Sequence, residues 1–317
     1  MTPGVVVRGE VHKVWCATPK KNLYLHNQKT QIMKRLFLSI LFISLFCSSF
    51  AQMAKSQIIY NQPEDRIIFS KYVVYIQNKT NLPTDQIIIE TAKFFLDVPY
   101  VANTLEIEPE GLVVNLRELD CTTFLETVYA LSMTAKSQDL TFDNFCNKLR
   151  WLRYREGSIN DYTDRLHYTS DWIDQNQEKG IVKSMAQSAG GEPLNLNLYI
   201  MSSNTDRYKQ LKGKADLIQK VKEKEMEINA RKHFYIPTGK IDQNAGLIKS
   251  GDMVGFVTTI PGIDISHVGI IYKDGDKLTF IHASSSKKKV IINQEPLSTF
   301  VRGTGRNTGI VLARAQF

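Results

Sequence analysis

A cysteine at the predicted start of a helix has the chemistry of a nucleophile. Cys121 opens the segment LDCTTFLETVYAL (119–131), in which apolar residues recur at helical spacing. The free N–H groups and the positive dipole end of a helix lower the pKa of a thiol, and the thiolate is the reactive form. A buried structural cysteine is the alternative interpretation. We assign that interpretation alone to Cys146, which lies among the apolar positions of FDNFCNKL.

Two histidines are brought together by a predicted β-hairpin in ISHVGIIYKDGDKLTFIHAS (265–284). The dipeptide DG at 274–275, between two apolar runs, predicts a two-residue type I′ turn. The register set by that turn places His267 directly opposite His282. The Cβ atoms of directly opposed residues lie about 4.5–5.5 Å apart, so the two imidazoles are expected side by side on one face. A three-residue turn would break this register.

Adjacent histidines are compatible with a zinc pair, with a general base and the partner that orients it, or with chance. Zinc needs a further protein ligand at a typical spacing, and the sequence has no H-E-x-x-H, H-x-H or C-x-x-C motif. Nucleophilic catalysis needs a nucleophile, a base and a third group that orients the base, which Cys121, His267 and His282 would supply. One ring nitrogen of His267 would then face the thiolate and the other would donate to His282, which must be neutral.

The first part of the chain has the features of a targeting segment. A basic pair precedes the apolar run LFLSILFISLF (36–46), and the small residues Ser49 and Ala51 fit the −3 and −1 positions of a cleavage site after Ala51. This pattern predicts a signal peptide at about 33–51 that directs export to the periplasm. The apolar run is too short to span a bilayer, so we expect no stable membrane anchor. We exclude residues 1–51 from fold analysis, as a spurious extension plus signal peptide.

The charge of the exported part excludes most nucleic-acid binders. The chain of 317 residues has 40 Lys and Arg against 32 Asp and Glu. Residues 1–51 hold seven of these bases and one acid, which leaves 33 bases and 31 acids in the remainder. A nearly neutral body lacks the basic surface that phosphate backbones require. Export also places Cys121 and Cys146 in an oxidising compartment, where a disulfide between them is a further alternative.

Helical patterns come first in the remaining chain and strands second, which is the order of an α+β fold. Thr84 and Ser170 are predicted to cap helices, and the charged stretch 205–232 is predicted to be a solvated helix. From Gly251 onward the pattern changes to strands separated by turn signals. We predict an N-terminal arm at 52–83 and one domain at 84–317, with an insertion at about 136–245.

With these motifs assembled, the sequence resembles the N-acetylmuramoyl-L-alanine amidase-like family, a branch of the NlpC-type cell-wall cysteine peptidases. The resemblance covers roughly residues 85–315 and is carried by VPYVANTL, LDCTTFLET, YREGSINDYTDRLHYTSDWI, GDMVGF, SHVGII and HAS. It implies a papain-like core, in which the nucleophile begins a helix packed on an antiparallel sheet or small barrel. Helical and loop insertions would then shape a narrower substrate site.

The resemblance also implies roles for individual residues. Cys121 would be the nucleophile, His267 the general base, His282 the third polar group, and Tyr100 a hydroxyl that helps hold the oxyanion. Polar and aromatic residues of the insertion would contact substrate, with ordinary loop packing as their alternative. These residues are Tyr154, Arg155, Arg165, His167, Tyr168 and Trp172.

The activity implied is hydrolysis of the bond between N-acetylmuramic acid and L-alanine in peptidoglycan or muropeptides, with no metal and no other cofactor. One alternative is an endopeptidase that cuts the γ-D-glutamyl–diamino-acid bond of the stem peptide. Another is a peptidoglycan-binding module without catalysis. Muropeptides are the expected partners of a monomeric protein that does not bind nucleic acid.

Overall fold

The described chain folds into helices and one large antiparallel sheet, in agreement with the α+β class expected from the sequence. The structure, a computed structural model, describes Gly4 and residues 58–317. The predicted signal peptide and the first residues of the predicted arm lie outside the described residues.

The helices precede most of the strands along the chain. None of them, within residues 58–317, combines the length and the apolar character needed to cross a membrane. They are α1 (Pro63–Ile76), α2 (Thr84–Phe94), α3 (Cys121–Lys136), α4 (Phe142–Arg153), α5 (Thr169–Glu178), α6 (Ile200–Ser203), α7 (Ala215–Asn229) and α8 (Leu297–Gly303).

The strands of the described chain are β1 (Ile59–Tyr60), β2 (Leu112–Val113), β3 (Val182–Ser184), β4 (Glu192–Leu194), β5 (His233–Pro237), β6 (Met253–Thr258), β7 (Ile265–Asp274), β8 (Lys277–Ser284), β9 (Lys289–Ile292) and β10 (Asn307–Ala315). They form a large sheet of order β4-β5-β10-β6-β7-β8-β9, in which β3 pairs additionally with β10. The paired strands of this sheet run antiparallel, whereas β1 and β2 form a small parallel pair.

Helix α3 is the central helix of the fold, and all its residues from Thr123 to Ala135 are buried. It contacts α2, α4, β7 and β8, so these elements enclose its polar residues as well as its apolar ones. Asp120 caps its first turn by accepting a hydrogen bond from the Thr123 backbone N–H at 2.8 Å. This cap determines that the helix begins at Cys121.

The sheet separates two apolar clusters because alternate side chains of a strand point to opposite faces. Val268 and Ile270 of β7 and Ile281 of β8 face the helices. On the other face, Phe256 and Phe280 pack with α8 in the second cluster. Both His267 and His282 lie against aromatic rings of that second face.

The β7–β8 hairpin turns one residue later than the sequence analysis predicts. Asp274 pairs with Lys277, so the two-residue loop is Gly275-Asp276. Gly275 has φ of +60°, whereas Asp276 does not have a positive φ. A glycine in the first loop position is typical of a type II′ turn, and the predicted type I′ turn is therefore wrong.

The corrected turn moves the register by two residues, so the predicted direct pairing of the two histidines is also wrong. His282 lies opposite Gly269, and His267 is its diagonal neighbour. Side chains alternate with a period of two, so an even shift leaves both imidazoles on the same face. The expected proximity is retained because diagonal neighbours are still within reach of long or aromatic side chains.

Two predicted helix caps are replaced by other contacts. Pro83 occupies the cap position of α2, and Thr84 is the first helical residue, its hydroxyl donating to the Phe317 carbonyl. At α5 the Ser170 backbone N–H donates instead to the Asp264 side chain at 2.6 Å. At α5 a partner distant in sequence thus satisfies a free backbone N–H of the helix start.

A buried ion pair joins α3 to α4. Arg153 donates to Glu126 at 2.6 Å and to the carbonyl of Val113 at 2.7 Å, and both charged side chains are 2% exposed. Burial raises the pKa of Glu126, which the adjacent guanidinium opposes. The carboxylate therefore depends on Arg153 to remain ionised, and each charge depends on the other.

We expect Glu126→Ala to lower the free energy of unfolding by about 3–5 kcal/mol, because it leaves the Arg153 charge buried without its partner. Urea unfolding measures the change. The matched control is Lys220→Ala, which removes one side of the exposed Lys220–Asp161 pair and should cost at most about 1 kcal/mol. Equal effects of the two substitutions would contradict this account of the ion pair.

Candidate active site

The Cys121 side chain is a half-buried free thiol at the first residue of α3. Cys146 is also a free thiol and is buried, so the disulfide alternative does not hold. The backbone of Val268 lies close enough to the Cys121 sulfur to act on the pKa of the thiol. Since Val268 directly follows His267 in β7, the helix start and the histidine strand meet at this sulfur.

The thiol is protonated at neutral pH, contrary to the expectation from its helix position. Burial, followed by the negative charge of Asp120, raises the pKa of Cys121 to about 11. Contacts of the sulfur with Val268 and Thr122 act in the opposite direction without offsetting these effects. The residue that caps the helix thus also opposes the thiolate.

The two imidazoles are joined by a short hydrogen bond. His267 Nε2 and His282 Nδ1 lie 2.6 Å apart, with the ring planes at 84°. Burial lowers the pKa of His267 to about 4. Burial and the neighbouring His267 lower the pKa of His282 to about 3. Both rings are therefore neutral at pH 7, and a single proton lies between them.

A β-bulge determines the direction of His267. Gly255 pairs with Val268 and Val257 with Ile265, so Phe256 alone faces two residues of β7, Ser266 and His267. A bulge interrupts the regular alternation and redirects a side chain. The Ser266 hydroxyl contacts the Phe256 carbonyl at 3.3 Å, which is consistent with this pairing.

Gly269 provides the space in which the histidines meet. A Cβ atom at this position would lie 2.9 Å from the Phe280 ring, 3.0 Å from the Ile281 carbonyl oxygen and 3.3 Å from the His282 Cβ. These approaches are closer than ordinary van der Waals contact. Glycine therefore allows β7 and β8 to approach closely beneath the two rings.

Cys121 and His267 lie on the wall of one cleft of about 530 Å³, which we call the thiol cleft. Its wall combines the start of α3, the start of β7, and segments around Tyr168 and Tyr208. The lining residues are Asn103, Glu106, Cys121, Thr122, Tyr162, His167, Tyr168, Thr169, Ile200, Met201, Arg207, Tyr208, Lys209, Ile263, Asp264, Ile265, Ser266, His267 and Val268.

The structure brings His167 and Tyr168, of the six predicted substrate contacts, to the thiol cleft. His167 Nε2 lies 2.8 Å from the Tyr162 carbonyl oxygen, and burial lowers the pKa of His167 to about 3. Tyr168 donates to the buried Glu225 at 2.6 Å. Glu225 also accepts from the Met201 and Ser202 backbones, so it fixes one wall of the cleft.

The other four predicted contacts lie away from the cleft wall, in structural interactions. Tyr154 is buried and donates to Glu110, and Arg165 pairs with Glu106 and Glu110. Arg155 pairs with Asp171. Trp172 is buried against the ring of Tyr129. The polar and aromatic groups of these four residues take part in packing and ion pairs. The sequence pattern alone could not distinguish these roles from substrate binding.

Tyr100 lies near the thiol but is not one of the residues that line the thiol cleft. Burial raises the pKa of Tyr100, and the charges of Cys121 and Asp120 act in the same direction. Its backbone bridges to Leu119, two residues before the cysteine. Tyr100 is therefore held beside the start of α3.

Two acidic residues near the thiol and the cleft, Asp120 and Asp264, were missed by sequence analysis. Asp120 could have been found from its cap position before the helix. Asp264 lies at the cleft and accepts from the backbones of Ser170 and Ile265, and no local pattern indicates that role. In the described part of the chain, no group of three His, Cys, Asp or Glu side chains is arranged to hold a metal ion.

Comparison with known proteins identifies relatives over most of the chain. The family model described as N-acetylmuramoyl-L-alanine amidase-like matches residues 90–309. No curated protein sequence matches significantly. An N-acetylmuramoyl-L-alanine amidase from Bacteroides uniformis is 35% identical, with a TM-score of 0.71 over 74% of this chain and 99% of that one.

Two further solved structures have the same fold. A proposed xylanase from Bacteroides fragilis is 33% identical, with a TM-score of 0.68 over 71% of this chain and 98% of its own. A Legionella pneumophila protein is 21% identical, with a TM-score of 0.62 over 80% of this chain and 96% of its own. At 21% identity, the similarity to the Legionella pneumophila protein is one of fold alone.

We expect Gly269→Ala to separate the two histidines, because the added methyl group meets the backbone of β8 and the Phe280 ring. The substitution should cost about 1–3 kcal/mol of stability and remove the downfield ring N–H signal of the histidine pair in proton NMR. Gly239→Ala is the control, since a Cβ there meets nothing within 4 Å. An unchanged histidine signal in Gly269→Ala would contradict the role of this glycine.

Alkylation of Cys121 should report the raised thiol pKa. Only the thiolate reacts, so the rate with iodoacetamide, followed by peptide mass mapping, should increase about tenfold for each pH unit from 7 to 10. Asp120→Asn retains a side-chain oxygen for the helix cap and removes the charge, so its profile should shift to lower pH. A rate that is already constant near pH 7 would indicate a thiolate–imidazolium pair instead.

Proposed function

Because the chain belongs to the N-acetylmuramoyl-L-alanine amidase-like family, we propose that it is a cysteine amidase of peptidoglycan fragments. The observation that carries the proposal is the short hydrogen bond between His267 and His282, formed at the cleft that also contains the Cys121 thiol. A nucleophile, a base and a group that orients the base are the elements required for nucleophilic acyl transfer. The thiol at a helix start followed by a histidine-bearing antiparallel sheet also supports a papain-like, NlpC-type core.

The first step begins from neutral groups. With the proton between the rings on His267 Nε2, His267 Nδ1 has a free lone pair that can accept the thiol proton. Cys121 Sγ then attacks the substrate carbonyl carbon while its proton moves to the imidazole. This transfer avoids a separated thiolate, which the surroundings of Cys121 disfavour.

The oxyanion formed by this attack is stabilised by N–H groups in the first turn of α3, with the Tyr100 hydroxyl as a further donor. The protonated His267 next gives its proton to the leaving amine, and the carbon–nitrogen bond breaks. Water, deprotonated by the same imidazole, attacks the thioester and releases the carboxylic acid. His282 accepts from His267 throughout and is a positioning residue.

We propose that the bond cleaved joins the lactyl group of N-acetylmuramic acid to L-alanine. Family membership and the amidase from Bacteroides uniformis support this bond. Glycoside hydrolysis, suggested by the name of the Bacteroides fragilis relative, needs two available carboxyl groups. The two carboxylates of the thiol cleft are already bound, Glu106 by Arg165 and Asp264 by two backbone N–H groups.

The substrate implies where the protein acts. Peptidoglycan lies outside the cytoplasmic membrane, which agrees with the export signal predicted at 33–51. We propose a periplasmic monomer that acts on soluble muropeptides without a metal or cofactor. His167 and Tyr168 of the thiol cleft are the predicted contacts that we retain as substrate-binding residues.

The test is hydrolysis of a defined muramoyl tripeptide with products identified by mass. We expect free muramic sugar and intact peptide from the wild type, and a loss of at least about 10³-fold in Cys121→Ala and His267→Ala, since both steps use these groups. Cys146→Ala, which removes the other thiol of the mature chain, should retain activity.

Other outcomes identify the competing functions. Cut peptides still attached to sugar would indicate the stem-peptide endopeptidase. Undiminished turnover in Cys121→Ala, or loss of turnover with EDTA but not with iodoacetamide, would overturn the cysteine mechanism. Binding of muropeptide with no hydrolysis by the wild type would indicate a non-catalytic module.

A further inference from the structure

A second cleft of about 560 Å³ adjoins the thiol cleft at the histidine pair. The two clefts share Ser266 and His267 on their walls; Cys121 belongs to the first and His282 to the second. We call this second space the histidine cleft. His267 therefore stands at the boundary, with the nucleophile on one side and its own hydrogen-bond partner on the other.

His282 has an unused polar atom at the histidine cleft. The residue is 3% exposed, and its Nε2 is buried without a hydrogen-bond partner in the described chain. Its Nδ1 is engaged by His267. When Nδ1 accepts that hydrogen bond, the neutral ring carries its proton on Nε2, which becomes a donor. A buried donor without a partner is costly, so this position favours a ligand with an acceptor oxygen.

The charge of the histidine cleft favours an anion. Lys287 and Arg306 lie along its wall, opposed by one acidic residue, Glu295, among the lining residues that the structure describes. Neither cation takes part in an ion pair within residues 58–317. Two available cations beside a neutral imidazole donor suit a carboxylate, which accepts charge-assisted hydrogen bonds.

The chemistry of amide cleavage assigns one half of the substrate to each cleft. The acyl group becomes bonded to Cys121, so it must lie in the thiol cleft. The leaving amine receives its proton from His267, so the chain attached to that nitrogen leads away on the histidine side. This assignment rests on the proposed function, in which the leaving chain begins with L-alanine and continues with a γ-linked D-glutamyl residue.

We propose that the histidine cleft binds the stem peptide and that His282, Lys287 and Arg306 recognise the free α-carboxylate of its γ-linked glutamyl residue. A γ-linkage leaves this carboxylate unsubstituted. It belongs to the second residue from the scissile nitrogen, about 7 Å along an extended chain. The two histidine rings, whose centroids lie 4.8 Å apart, extend from the proton-transfer atom in the direction of this carboxylate.

The carboxylate also acts on the catalytic pair. By accepting from His282 Nε2, it keeps the proton there and leaves Nδ1 as the acceptor for His267. His267 Nδ1 then stays unprotonated and faces the thiol as a base. Binding of the peptide in the histidine cleft thus selects the tautomer that the thiol cleft requires.

The kinetic test compares muramoyl-L-alanyl-γ-D-glutamyl-L-lysine with muramoyl-L-alanyl-D-isoglutaminyl-L-lysine, in which the same α-carboxylate is an amide. The wild type should show a KM at least roughly tenfold higher for the amide, the loss expected for one charge-assisted interaction. The double variant Lys287→Ala/Arg306→Ala should have similar KM values for both substrates. Lys289→Ala, which removes a nearby surface charge paired with Asp97, should retain the wild-type difference. Equal KM values for the two substrates in the wild type would overturn the proposal.

A binding measurement distinguishes failure of this proposal from failure of the proposed function, because it needs no turnover. In calorimetry, L-alanyl-γ-D-glutamyl-L-lysine should bind the wild type at least roughly tenfold more tightly than L-alanyl-D-isoglutaminyl-L-lysine, and the double variant should lose that preference. Nitrogen-15 NMR should show that the acid peptide shifts the His282 Nε2–H resonance. Absence of muropeptide hydrolysis alongside these signals would contradict only the proposed function. Equal binding of acid and amide, or no binding of either, would overturn the assignment of the histidine cleft.

Discussion

The hydrogen bond between His267 and His282 is the interaction on which the rest of the site depends. It fixes which nitrogen of His267 is free to act as a base, and it requires two strands to present rings on one face at close range. A type II′ turn, a bulge and Gly269 each contribute to that proximity. The sheet therefore specifies the protonation state of the base as well as its position.

Low polarity around the site determines its resting charge. The histidine pair lies against the rings of Phe256, Phe280 and Phe300, where charged forms lose hydration without an equivalent partner. A neutral thiol and neutral imidazoles are the forms this environment favours. Charge then develops only as the substrate carbonyl is attacked, where fixed N–H donors stabilise it without reorganisation. The surroundings thus stabilise the charge that forms during attack on the carbonyl, whereas they disfavour a thiolate–imidazolium ion pair before substrate reacts.

The sequence predicted those features that depend on local periodicity. The α+β order, the helix that begins at Cys121 and the common face of the two histidines follow from apolar spacing and alternation. The register of the hairpin could not be predicted, since Gly275 suits either loop position. The raised pKa of Cys121 depends on burial beneath distant segments, which outweighs the helix end. Tyr154 and Trp172 are polar-aromatic residues whose partners come from elsewhere in the chain, so sequence alone could not separate packing from binding.

The bulge at Ser266 and His267 makes the length of β7 as important as its composition. Deletion of Ser266 would restore an uninterrupted ladder against β6. His267 would stay on the Phe256 face but would lose the redirection that the bulge gives it. Such a variant would keep its cysteine and both histidines and would still fold around the same core. Among related chains, the presence of the cysteine and both histidines therefore indicates activity only where the extra residue of the bulge in β7 is also preserved.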